Sequence, residues 1–184
     1  MLLKFVHLIC NAIFFILNVM IYIYNYMSDT TTNLMNAISE KNIKDVETLL
    51  DNGLDINIQN NYGETPLMNA ILIQNIEMIH LLLEKELDIN IKNNYGNTAL
   101  MIAVSNKYID CIKLLLDKNP DLDILNDYGE TALMIAVKMN NIQIVRLFIK
   151  KGCNINIKNY YGDTALMIAI TNSYASIVKL LLNR

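Results

Sequence analysis

The sequence contains 184 residues, of which 53% are hydrophobic and 18% are charged, and its formal net charge is −3. This length suffices for one compact domain or one short repeat array with a substantial buried core. No run rich in Lys or Arg is present, which argues against a nucleic-acid-binding protein. The cysteines Cys10, Cys111 and Cys153 are odd in number and far apart, so they indicate free thiols in a reducing compartment.

The first predicted element is an apolar run near the N-terminus. Residues 5–27 contain no Asp, Glu, Lys or Arg. As a helix they would be about 35 Å long, whereas the hydrocarbon core of a bilayer is roughly 30 Å thick. This length predicts a transmembrane helix, and the lack of a small-x-small pattern before Ser28 disfavours a cleaved signal peptide. Because the chain also lacks Asn-x-Ser/Thr acceptors, we expect a membrane-anchored protein with its repeats in the cytosol.

A second interpretation of residues 1–28 is a translation start that has been assigned too early. Met27-Ser28-Asp29 resembles an ordinary soluble start, and the upstream residue types are those that AT-rich non-coding DNA yields. If translation starts at Met27, we expect a cytosolic protein without the hydrophobic helix.

The rest of the chain is a repeat with a period of 33 residues. Gly63, Gly96, Gly129 and Gly162 each follow a tyrosine and precede Thr, Leu and Ala at fixed distances. An apolar triplet closes each unit, and a degenerate first copy around Thr32 stands in the same register. The period predicts five copies in a domain over residues 29–184, at about 29–59, 60–92, 93–125, 126–158 and 159–184.

Each copy is predicted to form a helix, a turn, a second helix and a short hairpin loop. Thr65 is a suitable cap for the first helix, and Pro66 suits its first position. The second helix is expected over about residues 76–84, and Gly96 suits the tight turn of the following loop. Because one such unit cannot bury its apolar faces alone, we predict an all-α solenoid of five stacked units, preceded by the N-terminal hydrophobic helix.

These motifs resemble the ankyrin repeat, and the composition is similar to that of ankyrin proteins from AT-rich genomes such as those of large amoebal viruses. Residues 63–67 and 53–57 match the family pattern most closely. Two departures stand out: Met replaces the family histidine in every copy, and the glycine that ends the first helix is missing. We expect left-handed backbone at the residues that replace this glycine, at a cost of about 1 kcal/mol except for the asparagine. They are Lys41, Gln74, Lys107, Asn140 and Ser173.

Catalytic motifs are not evident in the sequence. The only histidines are His7, in the apolar run, and His80, on the exposed side of a predicted helix. The glycines stand at repeat turns rather than in a phosphate-binding loop, and the acidic residues are scattered. We therefore expect no enzymatic activity, no cofactor and no metal.

The family resemblance implies a monomeric adaptor or scaffold that binds a protein partner through its hairpin tips and the concave face of its first helices. Exposed tyrosines suit such a surface because they offer large contact area at low entropic cost, although each could instead pack on its own hairpin. The alternative is a membrane-anchored scaffold whose N-terminal tether sets its role. The candidate partner-binding residues are four repeating tyrosines, two residues that break the repeat and one at a family contact position: Tyr62, Tyr95, Tyr128, Tyr161, Leu125, Tyr160 and Met139.

Overall fold

The structure, a computed structural model, describes residues 16–17, 19–20 and 30–183. Ten helices follow one another between residues 30 and 183, and this part of the chain contains no strand. We number them α1 (residues 30–39), α2 (Ile43–Asp51), α3 (Pro66–Leu72), α4 (Ile76–Glu84), α5 (Ala99–Ser105), α6 (Ile109–Asp117), α7 (Ala132–Lys138), α8 (Ile142–Lys150), α9 (Ala165–Thr171) and α10 (Ala175–Leu182).

The helices are arranged as five antiparallel pairs that stack into a solenoid. From α3 onward, each odd-numbered helix packs against its even-numbered partner and against the odd-numbered helix of the next pair. Ala70, Ala103 and Ala136 are fully buried in the odd-numbered layer, where a small side chain allows close helix packing. A single continuous core runs through the stack, which confirms the predicted helical repeat solenoid.

The first helix of each later pair begins at the predicted threonine cap. The hydroxyl of Thr65 accepts a hydrogen bond from the backbone N–H of Met68 at 3.3 Å, and Pro66 occupies the first helical position. This bond satisfies one of the amide groups that a helix N-terminus otherwise leaves unpaired. The same cap recurs at Thr98, Thr131 and Thr164.

The turn inside each pair has the left-handed backbone that the sequence predicts. Lys41, Gln74, Lys107, Asn140 and Ser173 all have positive φ angles, between 51° and 59°. In the second pair, the N–H of Gln74 donates to the carbonyl of Ile71, so this conformation closes the end of the helix.

Replacing Lys107 by glycine is expected to raise the free energy of unfolding by about 1 kcal/mol, because glycine reaches this left-handed conformation without the steric cost of a Cβ. Lys107 is exposed, with φ at 59°, and makes no ion pair among the described residues. Urea denaturation would measure the change. Ser105→Gly, two residues earlier at the last position of α5, is the control and should destabilise the protein by about 0.5 kcal/mol. Destabilisation by both glycines would contradict the prediction.

Candidate functional site

Four hydrogen-bonded turns, which we call the tip turns, lie directly before α3, α5, α7 and α9. An asparagine organises each of them: the side-chain oxygen of Asn93 accepts the backbone N–H groups of Tyr95 and Asn97, both at 3.0 Å. The N–H of Asn93 donates in turn to the carbonyl of Asn97 at 2.9 Å. The tip turns span residues 60–64, 93–97, 126–130 and 159–163.

The repeat motifs did not single out the organising asparagine as a candidate functional residue, although the sequence contains a signal for it. It stands three residues before each repeat glycine, and Asn is a frequent turn residue because its side chain mimics a backbone acceptor. Three of the four are buried, so their role is to shape the tip turns from inside: Asn93, Asn126 and Asn159.

The first three tip turns are joined to one another by backbone hydrogen bonds. The N–H of Asn94 donates to the carbonyl of Tyr62 at 3.0 Å, and the N–H of Asp127 donates to that of Tyr95 at 3.2 Å. The glycines of the first three turns permit this approach: at Gly96, φ is 72° and a Cβ would lie 2.5 Å from the backbone nitrogen of Asp127. The backbone at Tyr95 is therefore held from both sides, and the backbone at Tyr62 is held from one side.

The four repeating tyrosines, which we call the tyrosine row, point their side chains into solvent. Their exposed fractions lie between 56% and 86%. Packing within their own turns thus leaves most of each residue accessible. The members of the row are Tyr62, Tyr95, Tyr128 and Tyr161.

The non-repeating candidates lie at the same edge but differ in accessibility. Tyr160 is exposed and lies across the preceding tip turn, where a Cβ on Gly129 would come within 2.6 Å of the Tyr160 ring. Leu125, immediately before that turn, and Met139, at the end of α7, are both half-buried. The structure therefore brings Tyr160 to the turn of Tyr128, and leaves Leu125 and Met139 only partly available.

The described residues contain no group of three or more metal-ligand side chains. Burial raises the pKa of the Cys111 thiol to about 12, so this cysteine is protonated at neutral pH and is a poor nucleophile. His80 is exposed on α4, as its position in the repeat predicts.

Comparison with protein families identifies the class of protein that the fold and its tip turns define. The model for ankyrin repeats (3 copies) matches residues 34–126 and 118–184, which is most of the chain. The chain belongs to the ankyrin-repeat family, as the sequence motifs indicate. A search of curated proteins gives no significant match.

The transmembrane helix predicted for residues 5–27 falls outside the described residues, except at positions 16–17 and 19–20. These four positions are helical and exposed. Within the part of the chain that the structure describes, we find no helix with the length and apolar character needed to cross a bilayer.

Proposed function

We propose that this chain is a non-catalytic adaptor that binds a protein partner through the tyrosine row, Tyr160 and the adjoining face of the odd-numbered helices. Ankyrin repeats are generally protein-interaction modules, which supports the class of function. The row of exposed tyrosines, the first three of which lie on turns joined by backbone hydrogen bonds, is the observation that supports this surface in particular.

The physical argument concerns the entropy of binding. Immobilising a flexible side chain at an interface costs about 0.5–1.5 kcal/mol, and tyrosine has only two side-chain dihedral angles to restrict. Because hydrogen bonds between neighbouring turns already hold the backbone of Tyr62 and Tyr95, little further ordering is needed when a partner binds. A preorganised aromatic surface of this kind suits protein recognition.

Specificity is expected to lie where the repeat pattern is broken. The residues one and two repeats before Tyr160 are Asp127 and Asn94, and those before Leu125 are Lys92 and Gln59. A partner that contacts Tyr160 and Leu125 can therefore distinguish the part of the array that carries these two residues from the other repeats.

Tyr160→Asn is expected to weaken partner binding about tenfold or more, because truncation of an interface tyrosine often costs more than 1 kcal/mol. A partner would first be isolated by crosslinking to the full chain in native extract and then purified. Calorimetry would compare its Kd for the parent chain and the variant. Asparagine preserves the turn because it stands at this position in the second and third repeats, as Asn61 and Asn94.

Gln143→Ala serves as the matched control, since Gln143 is exposed on α8, outside the odd-numbered layer, and its loss should leave Kd unchanged. Leu125→Gln tests the second non-repeating position with the residue that Gln59 supplies in an earlier repeat. Unchanged affinity of both Tyr160→Asn and Leu125→Gln for every isolated partner would show that this surface is not the binding site.

A further inference from the structure

Lysine side chains join the ends of successive even-numbered helices at two places in the array. The Nζ of Lys151, directly after α8, donates to the carbonyl oxygen of Leu116 at 2.9 Å and to Oδ1 of Asp117 at 3.0 Å. Two repeats earlier, the Nζ of Lys85 lies 3.2 Å from Oδ1 of Asp51. The C-terminal end of a helix is negatively polarised, so an ammonium group is favourably placed between its last carbonyl groups and a carboxylate.

The ends of α4 and α6 lack this contact. Lys118 stands one repeat before Lys151, and Glu84 stands one repeat before Asp117. Neither Lys118 nor Glu84 takes part in an ion pair among the described residues. Both side chains instead line a groove of about 620 Å³, together with the other residues of the segment 83–89. We call it the α4 groove.

The backbone at the end of α4 adds an acceptor that the other pairs satisfy. In three of them, the carbonyl at the position of Leu83 accepts the N–H of the residue three places later: Leu50, Leu116 and Ile149. Within the described part of the chain no N–H reaches the Leu83 carbonyl, because the backbone leaves α4 extended at Lys85. The α4 groove is thus lined by the two residues whose counterparts bind Lys151, and here no lysine of the chain contacts them.

The charge of the α4 groove favours a cationic ligand. Three carboxylates and two ammonium groups line it, but Lys85 already pairs with Asp51. Lys118 alone therefore faces the three carboxylates, which leaves an excess of two negative charges. Such a surface attracts basic groups and repels phosphates and acidic segments. The carboxylates belong to Glu84, Glu86 and Asp88.

We propose that the α4 groove binds a lysine side chain from a basic segment of a partner protein, with its ammonium group at Glu84 and the Leu83 carbonyl. The position of Lys151 supports this choice, because an ammonium group binds the equivalent pair of acceptors there. Leu87 and Ile89 also line the groove and are half-buried, so they offer apolar surface to the aliphatic stem of the lysine and to an apolar neighbour. This site is separate from the tyrosine row and does not depend on it.

The test uses two synthetic peptides of equal length in which Lys and Leu alternate. In one of them every lysine is acetylated, which removes the charge and keeps the length of the side chain comparable. Fluorescence anisotropy would measure binding of each labelled peptide to the full chain at low and high salt. We expect the unmodified peptide to bind about tenfold more tightly than the acetylated one and to lose affinity as salt rises.

Glu84→Gln should weaken binding of the unmodified peptide about fivefold, since it removes the carboxylate that pairs with the ammonium group. Glu77→Gln is the matched control because Glu77 is exposed in the first turn of the same helix and the change in net charge is identical. This control should leave the affinity unchanged. The comparison separates a local contact from the overall charge of the chain.

A stability measurement tests whether Lys118 fills the α4 groove itself. Lys151→Ala should lower the midpoint of urea denaturation, because it removes the contacts with Leu116 and Asp117. Lys118→Ala should leave the midpoint unchanged, because Lys118 makes no such contact. An equal decrease in both variants would overturn the proposal, since Lys118 would then occupy the groove.

Three further results would overturn it. The first is equal affinity, or no affinity, of the full chain for the two peptides. The second is an equal effect of Glu84→Gln and Glu77→Gln on peptide binding. The third is complete displacement of the peptide by an equal concentration of cadaverine, because the groove would then bind free amines rather than a peptide segment. None of these results would bear on partner binding at the tyrosine row, which Tyr160→Asn tests separately.

Discussion

Phe148→Ala is expected to lower the free energy of unfolding by about 3–5 kcal/mol, the usual loss when a buried aromatic side chain is removed. Phe148 lies on α8 and is fully buried in the continuous core. Because the stability of a solenoid is approximately a sum of repeat and neighbour terms, the loss should fall on the fourth pair and its contact with the fifth. Urea denaturation followed by circular dichroism would measure it.

The repeat itself supplies a matched control for this change. Leucine occupies the equivalent position in the second, third and fifth pairs, at Leu82, Leu115 and Leu181, and all three are buried. Phe148→Leu should therefore cost less than about 1.5 kcal/mol. Equal losses of stability in the leucine and alanine variants would contradict this prediction. They would show that a leucine side chain does not restore the packing that the alanine variant loses.

Gly96→Ala is expected to lower the free energy of unfolding by about 2–5 kcal/mol. Two costs combine: φ at Gly96 is 72°, in the left-handed region, and the new Cβ would lie 2.5 Å from the backbone nitrogen of Asp127. Left-handed backbone costs a residue with a Cβ about 1–2 kcal/mol, and overpacking against a neighbour that cannot move freely costs about 1–3 kcal/mol. Equilibrium denaturation in urea would give the difference from the parent chain.

Gly162→Ala separates these two costs. Gly162 occupies the same place in the last tip turn, with φ at 85°, but a Cβ there would meet nothing within 4 Å. Only the backbone cost remains, so we expect a loss of about 1 kcal/mol. Equal losses for the two variants would mean that contact between neighbouring tip turns does not require the glycine.

The helix bounds and the left-handed turns could be predicted from the sequence because both depend on local chemistry repeated in phase. The second helix of the second repeat was expected at about residues 76–84, and α4 spans Ile76–Glu84. The positive φ at Lys107 follows from the turn that every pair must make between its two helices. Repetition strengthens these predictions because an error in one copy would conflict with the others.

The backbone path after α4 could not be predicted from the repeat pattern. In three other pairs, the residue shortly after the second helix has a positive φ: Gly53, Asn119 and Gly152. Glu86 stands at the equivalent position after α4 and does not have a positive φ. The chain instead leaves α4 at Lys85 in an extended conformation, with φ at −88° and ψ at 159°. A side chain with a Cβ disfavours the left-handed region, but the alternative path depends on tertiary packing, which the repeat pattern does not specify.

The candidate site could be predicted only in part for a similar reason. Its location at the tip turns follows from the family resemblance, and the structure places Tyr160 there. Exposure, in contrast, depends on neighbours in space. Leu125 breaks the repeat pattern and Met139 stands at a family contact position, yet both residues are half-buried. Met134 and Met167 likewise stand in the same local sequence, yet Met134 is buried and Met167 is 48% exposed.

The repetition of the packing positions also bears on how such a protein can lengthen in evolution. Met134, Val137 and Ile149 are buried, and Met167, Ile170 and Leu182 stand at the same positions one repeat later. A duplicated unit inserted between two pairs would therefore meet, on both sides, surfaces of the kind that its own faces already pack against. Growth by internal duplication needs few compensating substitutions for this reason.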